Sequence, residues 1–289
     1  MSKQAAKTGA GPTVPVAVEQ FFPRSQRIID DGMAYCILPF GLRAFVSFMR
    51  PRLVRDWVIR ASDKSAPGIW GGMLCRKRYI DDTLLQHAEA VDAVVNLGAG
   101  FDTRVYRFPA LSKMPVWEMD QPDNILAKQN RLCRIFGEVP PHVTLVPADF
   151  DKVDLSATLA SHGYPTNVKT FFICEAVTQY LTKAGIASLF DFLAKAVPGS
   201  FLVFTYIRKD FLDGRASYGW QKGYEKYVLK DKSWLFGLDP DAWPGFLKHY
   251  GWQILEHTGA EELNERYVKQ TGRTFALALL ERMIVATKS

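Results

Sequence analysis

Val94-Val95-Asn96-Leu97-Gly98-Ala99-Gly100-Phe101-Asp102-Thr103-Arg104 is the stretch whose reading decides the fold. Residues 93–97 form a short, nearly continuous apolar run, the pattern of a strand buried on both faces. Gly98-Ala99-Gly100 then turns the chain, and a helix is expected to follow. Glycines let the backbone take positive φ and approach a ligand closely. A helix start beyond them presents free N–H groups and positive potential. A GxG turn on its own also serves as a plain strand-to-helix bend, so the segments on either side have to decide.

Downstream, the texture alternates. Residues 116–119 read as a second strand, with Pro115 just before it, where a missing N–H does little harm. Residues 121–136 read as a helix, 143–146 as a third strand, 170–174 as a fourth, 183–196 as a helix and 201–206 as a fifth strand. Strands alternating with helices predict a parallel, doubly wound α/β sheet with helices on both faces. Residues 252–255 and 275–286 are expected to add a terminal strand pair. The aromatic and basic stretch between Asp210 and Asp241, with Tyr218, Trp220, Tyr224, Tyr227, Trp234 and Phe236, interrupts the rhythm and reads as a lid inserted over the site. Upstream, residues 1–18 are expected to be a mobile arm and 19–88 a helical cap. Residues 89–289 would then be the main domain, with its lid at about 210–248.

Composition narrows the function. With 289 residues, 48% hydrophobic and 23% charged, the chain has the makings of a globular fold with a large core. The net charge of +6 is scattered, and the densest basic run, Arg76-Lys77-Arg78, is short, so no nucleic-acid partner is expected. Cys36, Cys75, Cys133 and Cys174 are far apart and the five histidines show no HxH or HExxH spacing, so reduced thiols, no metal site and a cytoplasmic setting are expected. Residues 34–49 are the most apolar stretch. Pro39, Gly41 and Arg43 interrupt them, and they are too short to span a bilayer. They read as a buried or substrate-lining cap, with no membrane partner expected.

Acids stand where the strands end. Asp120, 22 residues after Gly98, can take both hydroxyls of a ribose. Glu118, two residues back on the same face, is the competing acid. Asp149 after the third strand can accept an adenine amino group, or serve as a turn or helix cap, and Phe150 can cover a ring face. Glu175 ends the fourth strand, where an acid can pair with an ammonium group. Four such features at one sheet edge converge on a single crevice.

Four pieces together resemble the leucine carboxyl methyltransferase family, in its bacterial small-molecule branch. They are Cys75-Arg76-Lys77-Arg78-Tyr79-Ile80-Asp81-Asp82, Asn96 to Arg104, Glu118-Met119-Asp120-Gln121-Pro122, and Glu175-Ala176-Val177-Thr178-Gln179-Tyr180-Leu181-Thr182. The resemblance covers residues 20–205 and loosens after Asp210. It implies a Rossmann-like, seven-stranded, mostly parallel sheet and S-adenosyl-L-methionine as cofactor. It also implies a cofactor map. Arg76, with Arg78 as rival, resembles the arginine that clamps the methionine carboxylate; Gly98, Ala99 and Gly100 line the cofactor; Asp120 resembles the ribose acid; Asp149 with Phe150 flanks adenine; Glu175 faces the methionine end; and Gln121 and Ala176 are further cofactor-binding positions. The chain departs from the family pattern at Ala176, where glycine is usual, and at Thr178 and Gln179, where apolar residues are usual. These positions border the transferred methyl group, so the acceptor is where this chain is expected to differ.

Methyl transfer from a sulfonium is an in-line displacement that needs alignment and exclusion of water, and a base only where the nucleophile carries a proton. Tyr206, Tyr180 and Gln179 are the candidates for orienting the acceptor or moving a proton, and Tyr224, Tyr227 and Trp234 for a lid that stacks a flat acceptor. The expected acceptor is a small, natural-product-like molecule. O-methylation of a carboxyl or hydroxyl is the family default, and C-methylation of an electron-rich ring such as indole is the variant. A nicotinamide oxidoreductase shares the strand, turn and ribose acid, but Thr103 stands where its third glycine belongs. A non-catalytic nucleoside-binding protein is the other rival. A monomer or a homodimer fits equally well.

Overall fold

The computed structural model describes residues 9–289. Seven strands, β1 (Ala93–Leu97), β2 (Val116–Asp120), β3 (Val143–Pro147), β4 (Thr170–Cys174), β5 (Phe201–Ile207), β6 (Trp252–Thr258) and β7 (Glu281–Lys288), form one sheet. Their order is β3-β2-β1-β4-β5-β7-β6. All neighbours run parallel except β7, which is antiparallel to both β5 and β6. The order reverses between β1 and β4, and a crevice must open there at the carboxyl ends of the strands. The expected terminal pair exists, but residues 275–280 lie outside it and β7 begins only at Glu281.

Alternation along each strand splits the core in two. Val94, Val116, Ile173 and Val203 face one layer, and Val95, Trp117, Phe172 and Leu202 the other. The α-helices of seven residues or more are α1 (Thr13–Glu19), α2 (Phe40–Phe48), α3 (Arg52–Ser65), α4 (Ile69–His87), α5 (Pro122–Phe136), α6 (Leu155–Ser161), α7 (Lys183–Ala194) and α8 (Trp243–His249). Residues of α1, α2, α4 and α5 pack on the first face, and those of α6, α7 and α8 on the second.

Two expectations about the amino-terminal region need correction. Within the described part of the presumed arm, every residue of α1 is buried. Valines at 14, 16 and 18 join the first core layer, and Thr13 Oγ1 donates to the Phe101 carbonyl at 3.2 Å. Residues 1–8 lie outside the described residues. The apolar stretch around α2 is also neither wholly buried nor on the cavity described below. Val46 and Met49 are buried, but Phe40, Phe45 and Phe48 face solvent. A helix on the outside of a layer can bury only one stripe, and this one is apolar on more than one.

Candidate functional site

A cavity of about 430 Å³ opens at the expected crevice. Its floor is the turn after β1. Gly98 has φ +80° and Gly100 φ +43°, and a Cβ on Gly98 would stand 2.2 Å from a Val177 methyl carbon. No other residue fits there without moving the β4 loop. Asp120 fastens the turn. Its Oδ2 accepts the Gly100 N–H at 2.7 Å, and its Oδ1 accepts from Gln121 N and Asn124 Nδ2, both at 2.7 Å. The structure separates the two acids of β2. Asp120, at the strand end, lines the cavity, whereas Glu118 is sealed in the core against Lys128 at 2.7 Å and the Tyr106 hydroxyl.

The opposite wall is ionic. Glu175 lies among three cations: Arg76 Nε at 2.9 Å, Lys77 Nζ at 3.3 Å and Arg104 Nη2 at 3.0 Å. Burial alone would push its carboxyl up, but Lys77, Arg76 and Arg104 together hold it well below the usual carboxylate range. Arg76 is gripped a second time, its Nη1 donating to both oxygens of Glu281 at 2.9 and 3.0 Å. With Nε and Nη1 engaged, Nη2 makes no hydrogen bond among the described residues. Arg78 is excluded from this role. It pairs with Asp82 at 2.8 Å on an outer face and does not line the cavity. Altogether two cations, Arg76 and Lys77, share the lining with four carboxylates, Asp102, Asp120, Glu175 and Glu281.

Ala176 shows why glycine is usual at its position. Its φ is +55°, a conformation that strains an L residue. Thr205 Oγ1 accepts its N–H at 2.9 Å, and the Thr178 hydroxyl donates to the Thr205 carbonyl at 2.9 Å. Thr178 is therefore spent on bracing the loop. Gln179 and Tyr180 line the cavity, and the Gln179 carbonyl accepts from Leu235 N at 2.6 Å, tying the lid to the sheet edge.

In the lid, Tyr227 and Trp234 stack at 4.7 Å and 11°, and Trp220 lies 6.4 Å from Trp234; all three line the cavity. Tyr227 is carried by a π-helical turn, Tyr224–Lys230, a rare geometry that recurs at functional sites. Tyr224 faces away. Its ring meets Phe211 edge-on at 5.7 Å and braces the lid from behind.

Two other expectations, for Tyr206 and Phe150, fail on geometry. Tyr206 is fully buried in the second core layer against Trp243, 4.9 Å away, and its hydroxyl bonds His257 Nε2 at 2.7 Å. Alternation puts it on the same face as Leu202 and Phe204, while its successor Ile207 lines the cavity; one residue of register separates site from core. Phe150 is likewise packed in the second layer with Ala148 and Leu155. Neither Asp149 nor Gln121 lines the cavity. Asp149 interacts with Gln121 and with Lys152, 3.1 Å away. Residues not singled out beforehand close the site instead: Gly9, Gly11 and Thr13 from the amino-terminal segment, Asn124 from α5, and Glu281 from β7. Lys77 and Asp102 stood inside the quoted motifs without an assigned role. Nothing local in the sequence marks Glu281.

Among the described residues, no group of three His, Cys, Asp or Glu could hold a metal ion, and no helix is long and apolar enough to cross a membrane.

Comparison with known proteins agrees with this picture. A protein of Mycobacterium avium assigned by name to the S-adenosyl-L-methionine-dependent methyltransferases is 29% identical over 207 residues, 70% of this chain and 68% of that one. A second protein of that organism with the same assignment is 27% identical over 270 residues, covering 89% and 86%. The crystal structure of a Thermobifida fusca protein described as a methyltransferase superposes with a TM-score of 0.54 at 13% identity, covering 82% of this chain and 88% of that one, which speaks for the fold. The family model for leucine carboxyl methyltransferases matches residues 10–194. The chain belongs to the leucine carboxyl methyltransferase family and is an S-adenosyl-L-methionine-dependent methyltransferase.

Proposed function

We propose that the enzyme methylates a small, flat, uncharged acceptor at a hydroxyl oxygen or an electron-rich ring carbon. One observation carries this reading: a single cavity joins a carboxylate-rich end to an aromatic end. The aromatic end is walled by Ile207, Trp220, Leu280 and Trp234, which pack in one apolar cluster, and by Tyr227 stacked on Trp234. Both lining cations are already engaged, Arg76 by Glu175 and Glu281 and Lys77 by Glu175. Once the cofactor's carboxylate takes the remaining Nη2 of Arg76, a carboxylate acceptor would meet a lining with four carboxylates and, among the described residues, no cation left unengaged. Stacked indole and phenol faces suit a planar ring instead.

The carboxylate-rich end suits the cofactor. A sulfonium nucleoside with an amino-acid tail asks for anions near its positive sulfur and ammonium and for one guanidinium at its carboxylate. Glu175 and Glu281 supply the first need, and the unpartnered Nη2 of Arg76 the second. Asp120 stands at the turn where a ribose would lie, and Gly98, Ala99 and Gly100 let that ligand meet bare backbone. When bound, the cofactor supplies a methyl group already activated by the positive sulfur. The chain contributes alignment and dryness. The Gln179 carbonyl holds the lid down, and the Tyr227–Trp234 stack orders the aromatic wall. Tyr180 and Tyr227 are lining hydroxyls that would pass a proton from a hydroxyl acceptor toward the lining carboxylates; a ring-carbon acceptor asks more of the cavity's negative potential. Asp149 interacts with Gln121 beyond the β2 end and stays the proposed adenine contact, with Gln121 a cofactor-binding residue beside it.

The test is incubation with methyl-labelled cofactor and acceptor panels of phenols, indoles and aromatic acids, with the label located in each product. Labelled phenol or indole products are expected. Labelled methyl esters of the acids alone would overturn the proposal.

A further inference from the structure

Helices α2 and α3, joined by three residues, leave large apolar side chains in solvent. Leu53 is 84% exposed, Phe40 78%, Trp57 67%, Phe48 61% and Phe45 40%. These five, out of twelve exposed large hydrophobic side chains among the described residues, fall within 18 consecutive positions. Single exposures are ordinary, whereas such a concentration marks a surface that something covers. The positions form helical stripes. Phe40, Ala44 and Phe48 recur every four residues on α2, opposite the buried Val46 and Met49, and Leu53 and Trp57 are four apart on α3. Charge flanks the stripes. Residues 40–65 hold six Lys or Arg against two Asp, and Arg50, Arg52, Arg60 and Lys64 are exposed.

We propose that this helix pair docks the protein on an anionic lipid bilayer, with the aromatic rings and Leu53 at the boundary of headgroups and acyl chains and the basic side chains on the phosphates. The charge selects the occupant. A second copy meeting the same face across a two-fold axis would set Arg50, Arg52, Arg60 and Lys64 against themselves. An anionic surface attracts all four, and tryptophan and phenylalanine favour that depth. At 9 and 14 residues, the helices lie on the bilayer rather than cross it. The docking face also adjoins the cavity. α3 passes through residues 66–68 into α4, whose Ile69, Gly72 and Met73 line it, and the Pro67 carbonyl accepts the Trp220 indole N–H at 2.9 Å.

Sedimentation of the full chain with vesicles tests this. Binding is expected to vesicles of phosphatidylcholine and phosphatidylglycerol in equal parts, not to phosphatidylcholine alone, and to weaken with added salt. Leu53→Glu with Trp57→Glu is expected to lower partitioning by about tenfold or more while calorimetry shows unchanged cofactor affinity, which keeps this outcome separate from the catalytic reading. Should that double variant fail to fold, brominated lipid in the anionic vesicles is expected to quench wild-type tryptophan fluorescence, and less so in Trp57→Phe. Absence of binding, binding indifferent to these substitutions, or a dimer in sedimentation velocity that Leu53→Glu with Trp57→Glu splits would each overturn the proposal.

Discussion

Glu118 and Glu175 both face the first core layer, both have side chains largely shielded from solvent, and both have a lysine and further donors around them. They differ in what lies beyond. Glu118 meets only Lys128 and the Tyr106 hydroxyl, and its carboxyl is raised by burial more than Lys128 can bring it down. Glu175 meets three cations at the cavity wall, and its carboxyl is lowered. The same residue type is structural in one place and cavity-facing in the other, because the strand end opens to a crevice and the strand middle does not. Burying an ion pair is a weak source of stability, but breaking one is costly.

The largest expected effect comes from Lys128→Met, which leaves Glu118 without its cation. Stability should fall by about 3–5 kcal/mol in denaturant titrations, with cofactor affinity unchanged. The sign with pH is defined. Glu118 is already raised in the wild type and would rise further without Lys128, so the variant's added loss grows as pH rises past the wild-type folded value and levels off once the variant's carboxyl ionises. Glu175→Gln should do the reverse to binding, weakening cofactor affinity by about 10- to 150-fold through charged contacts of about 1.5–3 kcal/mol. Wild-type Glu175, with its depressed value, stabilises the fold above the ordinary glutamate range, and that contribution is lost as pH falls toward its folded value. Acid melts should show this slope in the wild type and less of it in Glu175→Gln. Glu281→Gln keeps one acceptor for Arg76 and should weaken cofactor binding by about fivefold, roughly 1 kcal/mol. Tyr206→Phe loses the bond to His257 and should cost about 1 kcal/mol of stability or less, with kcat and KM unaltered; a fall in turnover would return Tyr206 to the site.

Strand–helix alternation and the GAG turn made the sheet and its crevice legible in the sequence, since both depend on local periodicity and on φ. Asp120 could be placed because a strand end is a position in a pattern. Glu281 could not. It reaches Arg76 from β7, 205 residues away, and only tertiary packing brings them together. Tyr206 was misread because an aromatic residue at a strand end looks the same on either face until the register is known. Phe150 suffered the same ambiguity one loop earlier. In the described part of the expected arm, valines at 14, 16 and 18 are buried against the first layer, a packing that no local pattern requires.

Calorimetric titration of S-adenosyl-L-methionine into the wild type, Asp120→Ala, Glu175→Gln and Lys128→Met tests the carboxylate rim directly. Binding by the wild type and Lys128→Met, with at least about tenfold weaker binding by the other two, is the predicted result. Full affinity in both Asp120→Ala and Glu175→Gln would contradict it.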